Sequence, residues 1–360
     1  MKLVDNTLFP EIHGKEGWPW MAAGVAISAI TKELPKISII TPSYNQGRYL
    51  EETIRSIVLQ NYPNYEIIII DAGSTDSTLD VIHKYEPWIT YWVSEKDRGQ
   101  SHAIRKGLQI ATGDIVNWIN SDDIVAPGAF YAIANELDLS NKDVLCGYCD
   151  YFKGELENLD LRNMRMGLSS TVGDTILSHK INQPSTFFKA SVIKELDIDE
   201  QFHYTMDLDL WYRYLLKTGQ DRVSFSDKLL TYFRLHETSK SVAENMRFEE
   251  DIRKVFYNIV LSIDNTPSLL NFMRRNILDF KKFSPTKYPV NIPVAELDSF
   301  MRYFAWQAVQ YYNEMKDFAS AGACLAVVRR SRHPLNATLA RQIVKHNILP
   351  KFLLRWFTRS

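Results

Sequence analysis

Two isoleucine-rich runs, "KISIIT" (36–41) and "EIIII" (66–70), constrain the fold of this chain more than any other feature. Each is short and mostly apolar, closes on turn residues and is followed by a helix-like pattern, which is how a strand buried on both faces reads. Two further runs, "ITYWV" (89–93) and "DIVNWI" (114–119), keep the alternation, with helix-like segments near 48–60, 75–86 and 100–111. Alternating strands and helices imply an α/β fold with a mainly parallel, Rossmann-like sheet and right-handed crossovers. At 360 residues and 45 % hydrophobic, the chain can bury a sizeable core in one large domain or two smaller ones.

Sheets of this kind bind ligands outside the carboxyl ends of their strands. Here those ends carry "TPSYN" (Thr41–Asn45), "DAGSTDST" (Asp71–Thr78), "SEKDRGQ" (Ser94–Gln100) and "NSDD" (Asn120–Asp123). Taken singly, each has a structural explanation: Ser74 or Thr75 can cap the next helix, Asp76 suits its first turn, and Asp122 or Asp123 can open the turn before Pro127. Four polar loops converging on one edge read instead as a site for an anionic ligand held by a hard cation.

The stretch "ISIITPSYNQGRYLEETIRSIVLQNYPNYEIIIIDAGSTDST", followed by "DRGQSHAIRKG" and "NWINSDD", resembles glycosyltransferase family 2, over roughly residues 36–236. The resemblance implies the GT-A fold and an inverting, nucleotide-sugar-dependent enzyme. It places Pro42, Tyr44 and Asp71 at the nucleotide, and Asp97, Arg98 and Gln100 beside the donor. It makes Asn120, Asp122 and Asp123 a DXD-type motif, with an asparagine at its first position, that holds Mn2+ or Mg2+ on the diphosphate. In the second half, "YTMDLDLW" resembles the acceptor-side segment, with Asp207 as the catalytic base. Asp209 lies about 200° further round a helix and is expected to be a solvated or capping carboxylate. The segment "YFRLHETSKS" resembles the family's closing motif and makes His236 a metal ligand. The reaction so implied is attack of a saccharide or lipid-linked hydroxyl on a UDP-sugar, in cell-surface polysaccharide synthesis. A carboxylate near pKa 4 would be a weak base for it.

Other classes fit less well. Lys+Arg 42 against Asp+Glu 43 gives no global field for nucleic acid. The chain lacks GxxxxGK[ST] and GxGxxG, and "TPSYNQGRYL" lacks the glycine-rich, arginine-bearing loop that a sugar nucleotidyltransferase would carry there. An inactive donor-binding or scaffold relative would not need Asp122, Asp123 and Asp207. Cys146 and Cys149 form a lone CxxC whose members face opposite sides of a strand, so they are expected to be core thiols of a cytoplasmic protein. "MAAGVAISAI" (21–30) is about half the length of a membrane span, and nothing near the N-terminus reads as a signal peptide.

The expected organisation is an N-terminal strap (1–35), a catalytic domain (36–240, its nucleotide-sugar half about 36–125 and its acceptor half about 126–240) and a helical C-terminal region (241–360). Helices are expected at 244–263, 293–315 and 317–331, with a linker at 284–293. From residue 281 onward there are thirteen Lys/Arg against four Asp/Glu. The tail "HNILPKFLLRWFTRS" reads equally as a helix lying peripherally on an anionic bilayer and as one packed on the protein.

Overall fold

The structure is a computed structural model, and it describes residues 9–22, 33–154, 156, 159–178, 182–236 and 245–330. Strands β1 (Ile37–Ser43), β2 (Tyr65–Asp71), β3 (Tyr91–Ser94) and β4 (Ile115–Trp118) pair in parallel in the order β3-β2-β1-β4. All seven residues of β1 are buried, Ser38, Thr41 and Ser43 included, as in a strand covered on both faces. Helices α1 (Gly47–Val58), α2 (Thr78–Tyr85) and α3 (Gln100–Ile110) connect them. The register sets Ser43 beside Asp71 and Asp71 beside Ser94, so three strands end level and their loops share one edge.

Two residues show how tightly this half is built. A Cβ on Gly107 of α3 would collide with the Ile40 side chain, so only glycine lets the helix lie this close to β1. Glu66, inside the isoleucine run of β2, is 3 % exposed. It accepts from Ser38 Oγ at 2.5 Å, Thr112 N at 2.6 Å and Thr112 Oγ1 at 2.9 Å, and pairs with Lys36 Nζ at 2.6 Å. Burial alone would raise its carboxyl; the bonds from Lys36, Ser38 and Thr112 outweigh it and hold the group below the usual glutamate value.

Beyond β4 the sheet becomes mixed. The elements are β5 (Ile124–Val125), α4 (Ala129–Glu136), β6 (Val144–Lys153), β7 (Leu159–Arg165), α5 (Val172–Leu177), β8 (Thr186–Lys189), α6 (Ala190–Leu196), α7 (Met206–Thr218) and β9 (Val223–Leu235). The order runs on as β4-β8-β6-β9-β5, with β7 on β6, giving nine strands among the described residues. Parallel pairing returns only between β6 and β9; the other pairs of this half are antiparallel. Cys146 and Cys149 are both buried and unbridged, and burial pushes the Cys149 thiol up to about 12.

Residues 9–22 are latched to α1 by Arg55, itself 2 % exposed. Its guanidinium donates to the carbonyls of Pro10 at 2.7 Å, Pro19 at 3.2 Å and Trp20 at 2.9 Å and to Tyr85 Oη at 2.8 Å, and it lies over the rings of Phe9 and Trp20. Trp18 Nε1 donates to the Val125 carbonyl at 2.9 Å.

The chain divides into two compact units: residues 1–166, 181–210 and 221–245 in one, 167–180, 211–220 and 246–360 in the other. The expected boundary at 240 therefore misses two short segments, 167–180 and 211–220, that join the C-terminal helices α8 (Asn245–Ile263), α9 (Pro267–Arg275), α10 (Asp298–Glu314) and α11 (Phe318–Arg330). Within the second unit Tyr212 stacks on Phe256, which also meets Phe300 and Phe304, and Tyr212 Oη donates to the Ile176 carbonyl. No helix among the described residues is long and apolar enough to cross a membrane. The tail 346–360 lies outside the described residues.

Candidate active site

The loop after β1 is held by the loop after β2. Asn45 N donates to Ser74 Oγ at 2.7 Å, Gln46 N to Thr78 Oγ1 at 3.0 Å and Gly47 N to Asp76 Oδ2 at 3.0 Å, while Thr75 N donates back to Asn45 Oδ1 at 2.9 Å. Asp71 is fully buried. Its carboxylate accepts from Gly73 N at 3.1 Å, Ser74 N at 2.8 Å, Ser74 Oγ at 2.5 Å and Ser94 Oγ at 2.6 Å. Asp71 thus braces the loop around it. Pro42 is buried in β1, whereas Tyr44 is 61 % exposed and presents its ring outward.

The "DRGQ" loop is built the same way. Asp97 Oδ1 accepts from Gly99 N at 2.7 Å, closing the turn into α3, where Gly99 sits at φ 113°. Arg98 pairs with Glu200 at 2.7 Å, and Glu200 also binds Arg105. Gln100 Nε2 donates to Asn120 Oδ1 at 2.7 Å, and Asn120 Nδ2 donates to Asp123 Oδ2 at 3.1 Å. An asparagine at 120 can make both bonds at once, accepting on one side and donating on the other; an aspartate would set a second carboxylate against Asp123.

The two aspartates after β4 part company. Asp122 Oδ2 lies 2.8 Å from His236 Nε2. Asp123 is 1 % exposed and turned inward, accepting from Arg234 N at 3.1 Å as well as from Asn120. Burial, and then the charge of Asp122, push its carboxyl well above the usual aspartate range. The structure therefore brings Asp122 and His236 together and leaves Asp123 out of the pair, unlike the three-ligand set expected from the sequence.

The segment before α7 packs on the start of α3: Ser101 Oγ donates to the Phe202 carbonyl at 2.5 Å, and His203 faces Gly99. Asp207 follows four residues later, in the first turn of α7. Asp207 is partly buried, and desolvation pushes its carboxyl up to about 6, opposed only by backbone bonds from Leu208 and from its own N–H. Asp209 is fully buried, which corrects the solvated or capping role expected for it: the side of α7 it occupies is packed in protein.

Residues 38–194 match the profile described as Glycosyl transferase family 2. An uncharacterized glycosyltransferase of Rickettsia typhi is 30 % identical over 227 residues, covering 60 % of this chain and 69 % of its own. The chain belongs to glycosyltransferase family 2. The putative teichuronic acid biosynthesis glycosyltransferase TuaG of Bacillus subtilis is similar to this glycosyltransferase at 39 % identity over 97 residues, 26 % of this chain and 38 % of its own. In fold, the glycosyltransferase is similar to S. aureus TarS 1-349 in complex with UDP, with a TM-score of 0.52 at 17 % identity over 90 % of this chain and 91 % of that one, which is the GT-A architecture.

Three side chains of this glycosyltransferase site escape a reading of the sequence. Arg234, Glu52 and Tyr49 surround the Asp122 loop: Arg234 pairs with Glu52 and lies over Tyr49, whose ring also meets His236 at 5.1 Å. The one local signal is the spacing of Arg234 and His236, two positions apart and so on one face of an extended segment. Among the described residues no three His, Cys, Asp or Glu side chains form a metal cage. Asp122 and His236 nonetheless fit a cation as two donors, because ligands about 2.1 Å from one octahedral ion and at right angles stand roughly 3 Å apart.

Proposed function

We propose that this glycosyltransferase moves a sugar, with inversion, from a UDP-sugar to a hydroxyl of a saccharide or lipid-linked acceptor in cell-surface polysaccharide synthesis. The observation that carries the reading is the Asp122–His236 pair at the strand edge, and the Asp207 carboxyl raised to about 6 supports its role as base. UDP bound to TarS supports the donor class, and the name of TuaG supports the acceptor class. Tyr44 offers an exposed ring to the base, the loop braced by Asp71 shapes the nucleotide subsite, and Asp122 and His236 would hold Mn2+ or Mg2+. Such a cation supplies Lewis-acid stabilisation of the departing diphosphate.

Asp207 orients the acceptor hydroxyl and takes its proton as the new bond forms at the anomeric carbon. The bond from that carbon to the diphosphate oxygen breaks on the opposite face, and the nucleoside diphosphate leaves. A carboxylate of pKa about 6 is a stronger base than an ordinary aspartate yet is still mostly ionised at pH 7. A cytoplasmic location and a peripheral contact of the 343–360 tail with anionic lipid belong to the same proposal; equal vesicle sedimentation with and without the tail would remove the lipid contact.

The deciding experiment is a panel of nucleotide sugars, with and without Mn2+ and with a saccharide acceptor, read by nucleoside diphosphate release. Metal-dependent release with a UDP-sugar, lost in Asp207→Asn, is the expected result. A thermal shift by donor without any release would identify a binding-only relative instead.

A further inference from the structure

We propose that Arg234 and Glu52 form a buried strut that turns the Asp122 carboxylate toward His236, making Arg234 a positioning residue; its consequence for metal binding rests on the reading of Asp122 and His236 as the metal-holding pair. The side chains of Arg234 and Glu52 are 3 % and 10 % exposed. The guanidinium spends its donors on three acceptors: Nε on the Asp122 carbonyl at 3.0 Å, Nη1 on the Gly154 carbonyl and Nη2 on Glu52. Its backbone N–H donates to Asp123 Oδ1, and the guanidinium lies over the rings of Tyr49 at 4.8 Å and Phe152 at 4.4 Å. Thr53 Oγ1, one residue after Glu52 on α1, donates to the Asp123 carbonyl at 2.7 Å.

Asp122 is thus gripped by its main chain, which leaves its side chain to meet the imidazole. Tyr49 packs against both Arg234 and His236, so one ring backs the strut and the site. A buried pair kept only for stability could be replaced by apolar side chains without harm, and often with gain. This one sends its hydrogen bonds into the loop that bears Asp122. The planar fork is needed because it reaches the Asp122 carbonyl, the Gly154 carbonyl and Glu52 together; a lysine at 234 has a single point charge and serves one of them well. Groups that orient metal-holding side chains in this way typically change metal affinity 10–100-fold when lost.

The test uses the full chain with Arg234→Lys and Glu52→Gln, and Ile57→Val as a core control of lowered melting temperature. Two quantities are read: amide hydrogen exchange across residues 118–126 without metal, and the Mn2+ dissociation constant by calorimetry without substrate. Arg234→Lys is expected to speed exchange in that loop and to weaken Mn2+ by roughly 10-fold or more, while the control changes neither. Glu52→Gln carries the same expectation should the lysine variant fail to fold. Unchanged exchange and Mn2+ binding in a folded variant, or changes that the control shares, would overturn the strut. If the wild-type chain binds no Mn2+ while loop exchange still rises in the variants, the strut stands and the metal reading alone fails.

Discussion

An aspartate whose carboxyl is pushed up to about 6 by burial keeps its proton in the folded chain over a pH range in which the unfolded chain has released it. For Asp207 the folded state therefore binds more protons between about pH 4 and 6, and stability falls as pH rises through that window and then levels off. Asp207→Asn should raise stability at pH 7 by on the order of 1–2 kcal/mol while turnover drops by roughly 10² to 10⁴. Thermal melts and single-turnover rates on the same sample check both signs. In the wild-type enzyme the rate should climb with pH along a limb centred near the Asp207 value of about 6. A second contrast separates the neighbouring aspartates. Asp122→Asn should abolish the Mn2+ response with little change in melting temperature, because the weakened bond to His236 is set against relief of the repulsion on Asp123. Asp123→Asn turns an amide donor toward either Arg234 N–H or the Asn120 amide, and should lose about 1–3 kcal/mol of stability, measured by urea titration.

Elements with a local signature were legible, and those made by distant pairing were not. β1, β2 and β4 could be placed within two residues because short isoleucine- and valine-rich runs bounded by turn residues suit buried strands, and the helices at 245–263 and 318–330 because their apolar faces recur at helical spacing. The antiparallel half was not foreseen: β6, β8 and β9 are ordered by pairings that carry no periodic trace, such as Val144 with Phe188 and, in the other neighbour, Val223. The same holds in the site. Asp71, Asp122, Asp207 and His236 lie in motifs, whereas Glu52 meets Arg234 across 182 positions. Gly107→Ala would gain up to about 1 kcal/mol of helix propensity, but the added methyl strikes Ile40 in a filled core, where overpacking costs about 1–3 kcal/mol. A net loss in denaturant midpoint is expected, and a gain would mean that α3 can move off β1.

For the molecule as a whole, the division into units is discontinuous in sequence, and α7 contributes residues 206–210 to one unit and 211–218 to the other. A chain cut after residue 245 would keep every residue of the proposed site and still strip Tyr212 of Phe256, leaving an aromatic face in water. Such a fragment should aggregate or lack a cooperative melt by circular dichroism, although its motifs are complete. A helix cannot be half melted at no cost to its first turn, since each turn lends hydrogen bonds to the one before it. Calorimetry should accordingly record a single transition, and heat that loosens the C-terminal helices should silence Asp207 at the same temperature. The carboxylate then serves as a built-in thermometer for a region with which it shares no chemistry.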